Sequence, residues 1–138
     1  MFESCKKLTY INANRFNTSL VTDMQRMFSN CREITELNIT NFYTSLVTDM
    51  NNMFELCPKL TSIDVSNFVT SKVTNMQKMF SNCQSIKELD ISSFDVKSLT
   101  KISSMFEFCS KLVSIYFHNF YTYKVTDMSY MFYDCPSL

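Results

Sequence analysis

Residues 42–67 read FYTSLVTDMNNMFELCPKLTSIDVSN, and the spacing of their apolar side chains decides the fold. Phe42, Val47, Met50, Met53, Phe54, Cys57, Leu60, Ile63 and Val65 carry the pattern. From Val47 to Cys57 the steps are 3, 3, 1 and 3, the stripe of a short amphipathic helix. Thr48 supplies an N-cap and Asp49 a first-turn carboxylate, while Cys57-Pro58 would end the segment. From Leu60 to Val65 the pattern becomes L-x-x-I-x-V, whose last part alternates as a strand does.

The same stretch recurs along the whole chain at a period of 26 residues. One phenylalanine column runs Phe2, Phe28, Phe54, Phe80, Phe106 and Phe132, and a second runs Phe16, Phe42, Phe68, Phe94 and Phe120. Cysteines fall at Cys5, Cys31, Cys57, Cys83, Cys109 and Cys135, and methionines at Met27, Met53, Met79, Met105 and Met131. A further column reads Val21, Val47, Val73, Leu99 and Val125. No insertion disturbs the phase, so residues 1–138 read as a single α/β repeat solenoid of about five 26-residue repeats. Each repeat is expected to contribute one short parallel strand and one short helix. A lone repeat cannot offset the entropy of ordering its backbone, so neighbours must bury each other's faces. The strands would then line one face, ~4.8 Å apart.

A 52-residue alternation supports stacking. Glu3, Glu55 and Glu107 share a column with Ser29 and Ser81, and Lys7, Glu33 and Lys59 alternate in sign. Stacked like charges are thereby avoided and cross-rung pairs are allowed. Duplication of a two-repeat unit would leave the same trace.

Composition removes several functions. Lys plus Arg and Asp plus Glu both number 13, so net charge is zero and no electrostatic footprint for nucleic acid or an anionic membrane exists. No apolar run is long enough to span a bilayer, and the start does not resemble a signal peptide. The chain has no glycine, which rules out glycine-rich phosphate loops and dinucleotide fingerprints. Its one histidine is His118, so a catalytic or zinc site of the usual kinds would have to centre there. No catalytic residue, cofactor or metal is expected.

The string V-T-D-M-x-x-M-F-x-x-C-x-x-L/I-x-x-L/I-x-I/V-x-x-F-x-T resembles the BspA-like leucine-rich repeat, found in bacterial surface proteins, mycoplasma surface lipoproteins, parasite surface antigens and some large viruses. Val47-Thr48-Asp49-Met50, Met53-Phe54, Cys57, Leu60, Ile63, Val65 and Phe68 carry the match. The fourth repeat departs from it, with Val96, Leu99, Lys101 and Ile102 where Thr, Val, Asp and Met are usual. The resemblance implies a right-handed leucine-rich-repeat solenoid and, for many members, adhesion or display at a cell surface or outside the cell. Cysteines that read as reduced leave a virion or intracellular setting open.

The cysteine column lacks the paired C-x-x-C clusters of zinc sites and lies in the apolar stripe. Buried free thiols are the expected reading; disulfides between rungs and metal binding are the alternatives. The columns Cys31, Cys57, Cys83, Cys109 and Phe28, Phe54, Phe80, Phe106 are expected in the core, and the methionine pairs beside them. Asn17-Thr18-Ser19 and Asn38-Ile39-Thr40 satisfy a glycosylation sequon, a short motif common by chance.

The outward side of the strands is the candidate binding face. Its middle column reads Asn12, Asn38, Asp64, Asp90 and Tyr116, flanked by Tyr10, Glu36, Ser62, Glu88 and Ser114 and by Asn14, Thr40, Ser66, Ser92 and His118. Glu36, Asn38, Asp64, Glu88 and Asp90 make a polar, acidic centre, and Tyr116, His118, Tyr121 and Tyr123 an aromatic end. Tyrosine is enriched at interfaces for its apolar body and hydrogen-bonding tip. The alternative is an ordinary solvated sheet face. The expected role is non-catalytic binding or adhesion, with a protein or glycan on this face. Residues 1–8 and 131–138 are the same phase of the repeat, so neither end carries a polar cap. A slice of a longer array, or self-association end to end into a filament or a particle coat, would each account for that.

Overall fold

The computed structural model describes residues 1–138, and each 26-residue repeat forms one rung of a stacked coil. Four three-residue strands are present: β1 (Tyr10–Asn12), β2 (Glu36–Asn38), β3 (Glu88–Asp90) and β4 (Ser114–Tyr116). β1 pairs with β2 in parallel, Tyr10 opposite Glu36 and Asn12 opposite Asn38. β3 pairs with β4 in parallel, Glu88 opposite Ser114 and Asp90 opposite Tyr116. The register step is the sequence period, so every repeat column becomes a physical column.

Two expectations about the rung are corrected. The helix over Val47–Cys57 and its equivalents is absent, and the chain contains no helix anywhere. Nor is the strand face one continuous sheet. Ser62–Asp64 of the third rung forms no strand, and the sheet is divided into two pairs.

The stretch expected as helix instead runs edge to edge with its neighbours. A parallel ladder joins Asp23 to Asp49, Asn75, Lys101 and Asp127 without interruption. In the second rung, Met50, Asn52, Phe54 and Leu56 donate their N–H groups to the Asn75, Gln77, Met79 and Ser81 carbonyls at 2.9–3.0 Å. Between those bonds the chain folds on itself in i→i+3 turns, Met53 to Met50 at 3.3 Å and Glu55 to Asn52 at 3.1 Å. Positive φ at Asn52 and Leu56, repeated at Arg26 and Asn30, at Lys78 and Asn82 and at Ser104 and Phe108, turns the chain twice per rung. Non-glycine residues pay steric strain in that region, and Asn, the most frequent occupant here, tolerates it best.

Spacing explains why the helix loses. Rungs stack at strand distance, ~4.8 Å, whereas helices with side chains need about 10 Å each. The Phe2–Phe132 column forms a ladder of near-parallel rings with centroids 5.4–5.9 Å apart, a distance that leaves no room for a helix in every rung. A two- or three-turn helix is also marginal by itself. Turns and helices both place residues three apart on one side, so the apolar stripe fitted either.

One core of 33 buried residues runs through the rungs. Phe28, Phe54, Phe80 and Phe106 lie at its centre, with Met53, Met79 and Met105, and Cys31, Cys57, Cys83 and Cys109 are buried beside them. All six cysteines are free. Each thiol after the first donates to the phenylalanine carbonyl of the previous rung, as in Cys57 Sγ to Phe28 O at 3.2 Å and Cys109 Sγ to Phe80 O at 3.1 Å. Phe80 O already accepts the Cys83 N–H, so the thiol fills its second lone pair. One cross-rung ion pair of the alternating Lys7, Glu33, Lys59 column forms, with Lys59 Nζ 2.6 Å from Glu33, and Arg26 adds another, 3.4 Å from Glu3, that the column pattern did not include.

Candidate binding faces

The residues of the strand face are held by short side chains. Asn12 Oδ1, Asn38 Oδ1, Asp64 Oδ1 and Asp90 Oδ1 each accept the backbone N–H two residues on, at 2.9–3.4 Å, which closes the turn after each strand position. The Ser66 hydroxyl also donates to Asp64 at 2.6 Å. These bonds favour the ionised form. The Ser66 hydroxyl and then its N–H hold the Asp64 carboxyl below the usual range, and the Ser92 hydroxyl and N–H do the same for Asp90. In the fifth rung Tyr116 takes this column and cannot make the turn.

Glu36, Asp64, Glu88 and Asp90 are exposed and Asn38 is half-buried. Tyr116, Tyr121, Tyr123 and His118 are exposed as well. The face is not one surface, however. Thr61, Ser62, Ile63 and Asp64 make no backbone–backbone hydrogen bond to either neighbouring rung. A cleft of about 370 Å³ lies there, lined by Tyr10, Glu36, Asn38, Thr40, Ser62 and Asp64. The acidic residues therefore do not share one hydrogen-bonded sheet: Asp64 lies on the unpaired rung, across the cleft from Glu36 and next to the strand that carries Glu88 and Asp90. Tyr121 and Tyr123 lie past the strand, on the lateral edge of the fifth rung.

No three His, Cys, Asp or Glu side chains converge where they could hold a metal ion. Burial pushes the Cys57 and Cys109 thiols up to about 12 and Cys83 well above its ordinary value. Such thiols are poor nucleophiles and poor metal ligands at neutral pH. No helix is long and apolar enough to cross a membrane.

The sequence reading missed the lateral edge between the strand position and the ladder. Thr18, Thr44 and Thr70 are buried there and clamp successive rungs. Thr44 Oγ1 donates to Val69 O at 3.1 Å and accepts the Val69 N–H at 2.7 Å; Thr18 does the same with Tyr43 at 3.1 and 2.8 Å. The signal was the threonine column itself, which Val96 interrupts.

Stacked parallel rungs, a phenylalanine ladder and short strands at one phase define a leucine-rich-repeat protein. A Treponema pallidum leucine-rich-repeat protein has a similar fold, with a TM-score of 0.51 and 19% identity over 83% of this chain and 58% of its own. A Bacteroides ovatus leucine-rich-repeat protein aligns over 83% of this chain and 32% of its own, at 24% identity and a TM-score of 0.49. The chain thus spans less than two thirds of either. No curated protein matches it significantly. The family described as "Mycoplasma protein of unknown function, DUF285" matches residues 1–115 and again 60–138, and the chain belongs to it, as a BspA-like leucine-rich-repeat chain.

Proposed function

We propose that this chain is a non-catalytic binding scaffold, displayed at a cell surface, that captures a protein partner through its strand face. The observation that carries the reading is the exposed group Glu36, Asp64, Glu88 and Asp90, two of whose carboxyls are held ionised by neighbouring serines. A fixed negative face with tyrosine beside it favours a partner bearing a basic patch, and electrostatic complementarity would set specificity and association rate. Surface display is supported by membership in a Mycoplasma family of BspA-like repeats.

The test uses the full chain immobilised against a panel of purified matrix glycoproteins, beside the combined variant Glu36→Gln, Asp64→Asn, Glu88→Gln, Asp90→Asn. At least tenfold weaker binding by the variant, and affinity that falls as salt rises, is the expected result. Equal binding by both proteins would remove the strand face from the reading. Antibody labelling of intact against permeabilised cells checks display separately.

A further inference from the structure

We infer that the lateral edge of the coil is a second binding surface, shaped for a neutral glycan chain. This goes beyond the strand-face reading and does not depend on it. Three clefts open on this edge at one phase of the repeat. The first, about 570 Å³, is lined by Asn14, Arg15, Asn17, Ser19, Asn41 and Tyr43. A second, about 300 Å³, is lined by Thr40, Asn41, Tyr43, Thr44, Ser45 and Asn67. The last, about 280 Å³, is lined by Ser92, Asp95, Lys97, His118, Asn119 and Tyr121.

Their chemistry is that of sugar recognition. Carboxamides and hydroxyls dominate the first two clefts, whose one charged lining residue is Arg15. In the third, Lys97 Nζ lies 3.4 Å from Asp95, so the two charges offset each other. Each cleft also carries a tyrosine with its ring in the open: Tyr43 is 65% and Tyr121 60% exposed. An exposed aromatic face takes the C–H face of a pyranose while amide and hydroxyl groups take its hydroxyls. The second and third clefts sit at the lower bound of ligand pockets, ~300–1,000 Å³, and suit single rings better than larger ligands, while the first lies within that range.

Pre-organisation supports the same assignment. Both backbone groups of Tyr43 are tied to the buried Thr18, so its ring projects from a fixed base. Tyr121 stands over Val96, where the clamp is missing, and is held by its own loop: its N–H donates to Asn119 O at 2.8 Å and its hydroxyl to Asn119 Oδ1 at 3.3 Å. A peptide strand would need a row of free backbone groups, and at Tyr43 and Val69 the clamps occupy them. Rungs repeat at ~4.8 Å, of the order of one sugar residue, so an extended chain along the axis can meet the first two clefts on adjacent rungs and the third two rungs further on.

The experiment is a solution NMR titration of the full chain with maltohexaose, cellohexaose and chitohexaose, with a sulfated heparin hexasaccharide as competitor. At least one neutral hexasaccharide is expected to shift the amides of Asn17, Tyr43 or Tyr121, and Tyr43→Ala together with Tyr121→Ala to weaken it at least tenfold. Both rings are exposed, so an unchanged core spectrum shows that the variant is folded. Silence at these amides with all three sugars overturns the inference, and so does displacement by the sulfated competitor. Shifts confined to Glu36, Asp64 and Glu88 also overturn it, while leaving the strand-face reading intact.

Discussion

The two sides of each rung behave differently. On one side, the ladder through Asp23, Asp49, Asn75, Lys101 and Asp127 crosses every rung and lies over the stacked phenylalanines. On the other, the strands pair two by two and the third rung stands unpaired at Ser62–Asp64. The difference follows from what each side buries. Ladder-side carbonyls meet amides and thiols from the neighbouring rungs, and the ring beneath each is wholly enclosed. Strand-side residues hand their hydrogen-bonding capacity to turns that Asn and Asp side chains close locally. Stacking is therefore fixed from the ladder side, and the strand side follows where it can.

Alkaline pH should attack the ladder side alone, with the largest effect of any test here. The folded-state pKa of Cys57 and Cys109 is raised from 9.0 to about 12 by burial. A group raised on folding contributes stability that is full below its unfolded pKa and is lost as pH rises through the folded one. The loss should therefore run from about pH 9 to pH 12. Three units at about 1.36 kcal/mol each is on the order of 4 kcal/mol for each of these two thiols. Urea unfolding between pH 7 and 11 should show midpoints falling above pH 9, less steeply in Cys57→Ser. A flat profile would mean that these thiols do not carry the ladder side.

Side-chain truncation draws the same contrast. Phe54 is fully buried between the rings of Phe28 and Phe80, 5.9 and 5.4 Å away. Phe54→Ala should cost about 3–5 kcal/mol in urea unfolding. Ile63, half-buried in the unpaired third rung, should cost less than about 2 kcal/mol as Ile63→Ala, because much of its surface already meets water. Equal costs would erase the distinction between the sides.

How much of this could be read beforehand depended on which interactions leave a periodic trace. The columns of Phe54, Cys57 and Met53 gave the solenoid, because burial in a stack demands the same residue at every rung. Alternation placed Glu36, Asp64, Glu88, Asp90 and Tyr116 on the strand side, whereas Tyr121 and Tyr123 fall past the strand. The helix could not be rejected, since the steps between Met50, Met53, Phe54 and Cys57 suit a chain of turns equally well. What decided it was positive φ at Asn52 and Leu56, and Leu56 gives no warning of that in a chain without glycine. Thr44 and Tyr43 escaped notice because their roles depend on backbone partners one rung away.

Those strained turns supply the smallest and most local test. Lys78 occupies a left-handed position, φ 55°, on the ladder side. Its N–H already donates to Ser103 O at 3.0 Å, a bond that glycine keeps. Removing Cβ relieves strain of order 1 kcal/mol or more, against a larger loss of unfolded-state freedom for glycine. Lys78→Gly should therefore leave stability unchanged or raise it by up to about 1 kcal/mol. Ser62→Gly on the strand side has no positive φ to relieve and should lower stability by about 0.5–1 kcal/mol. Opposite signs in the two denaturation curves would place the backbone strain on the ladder side, where the stack is tight enough to enforce it.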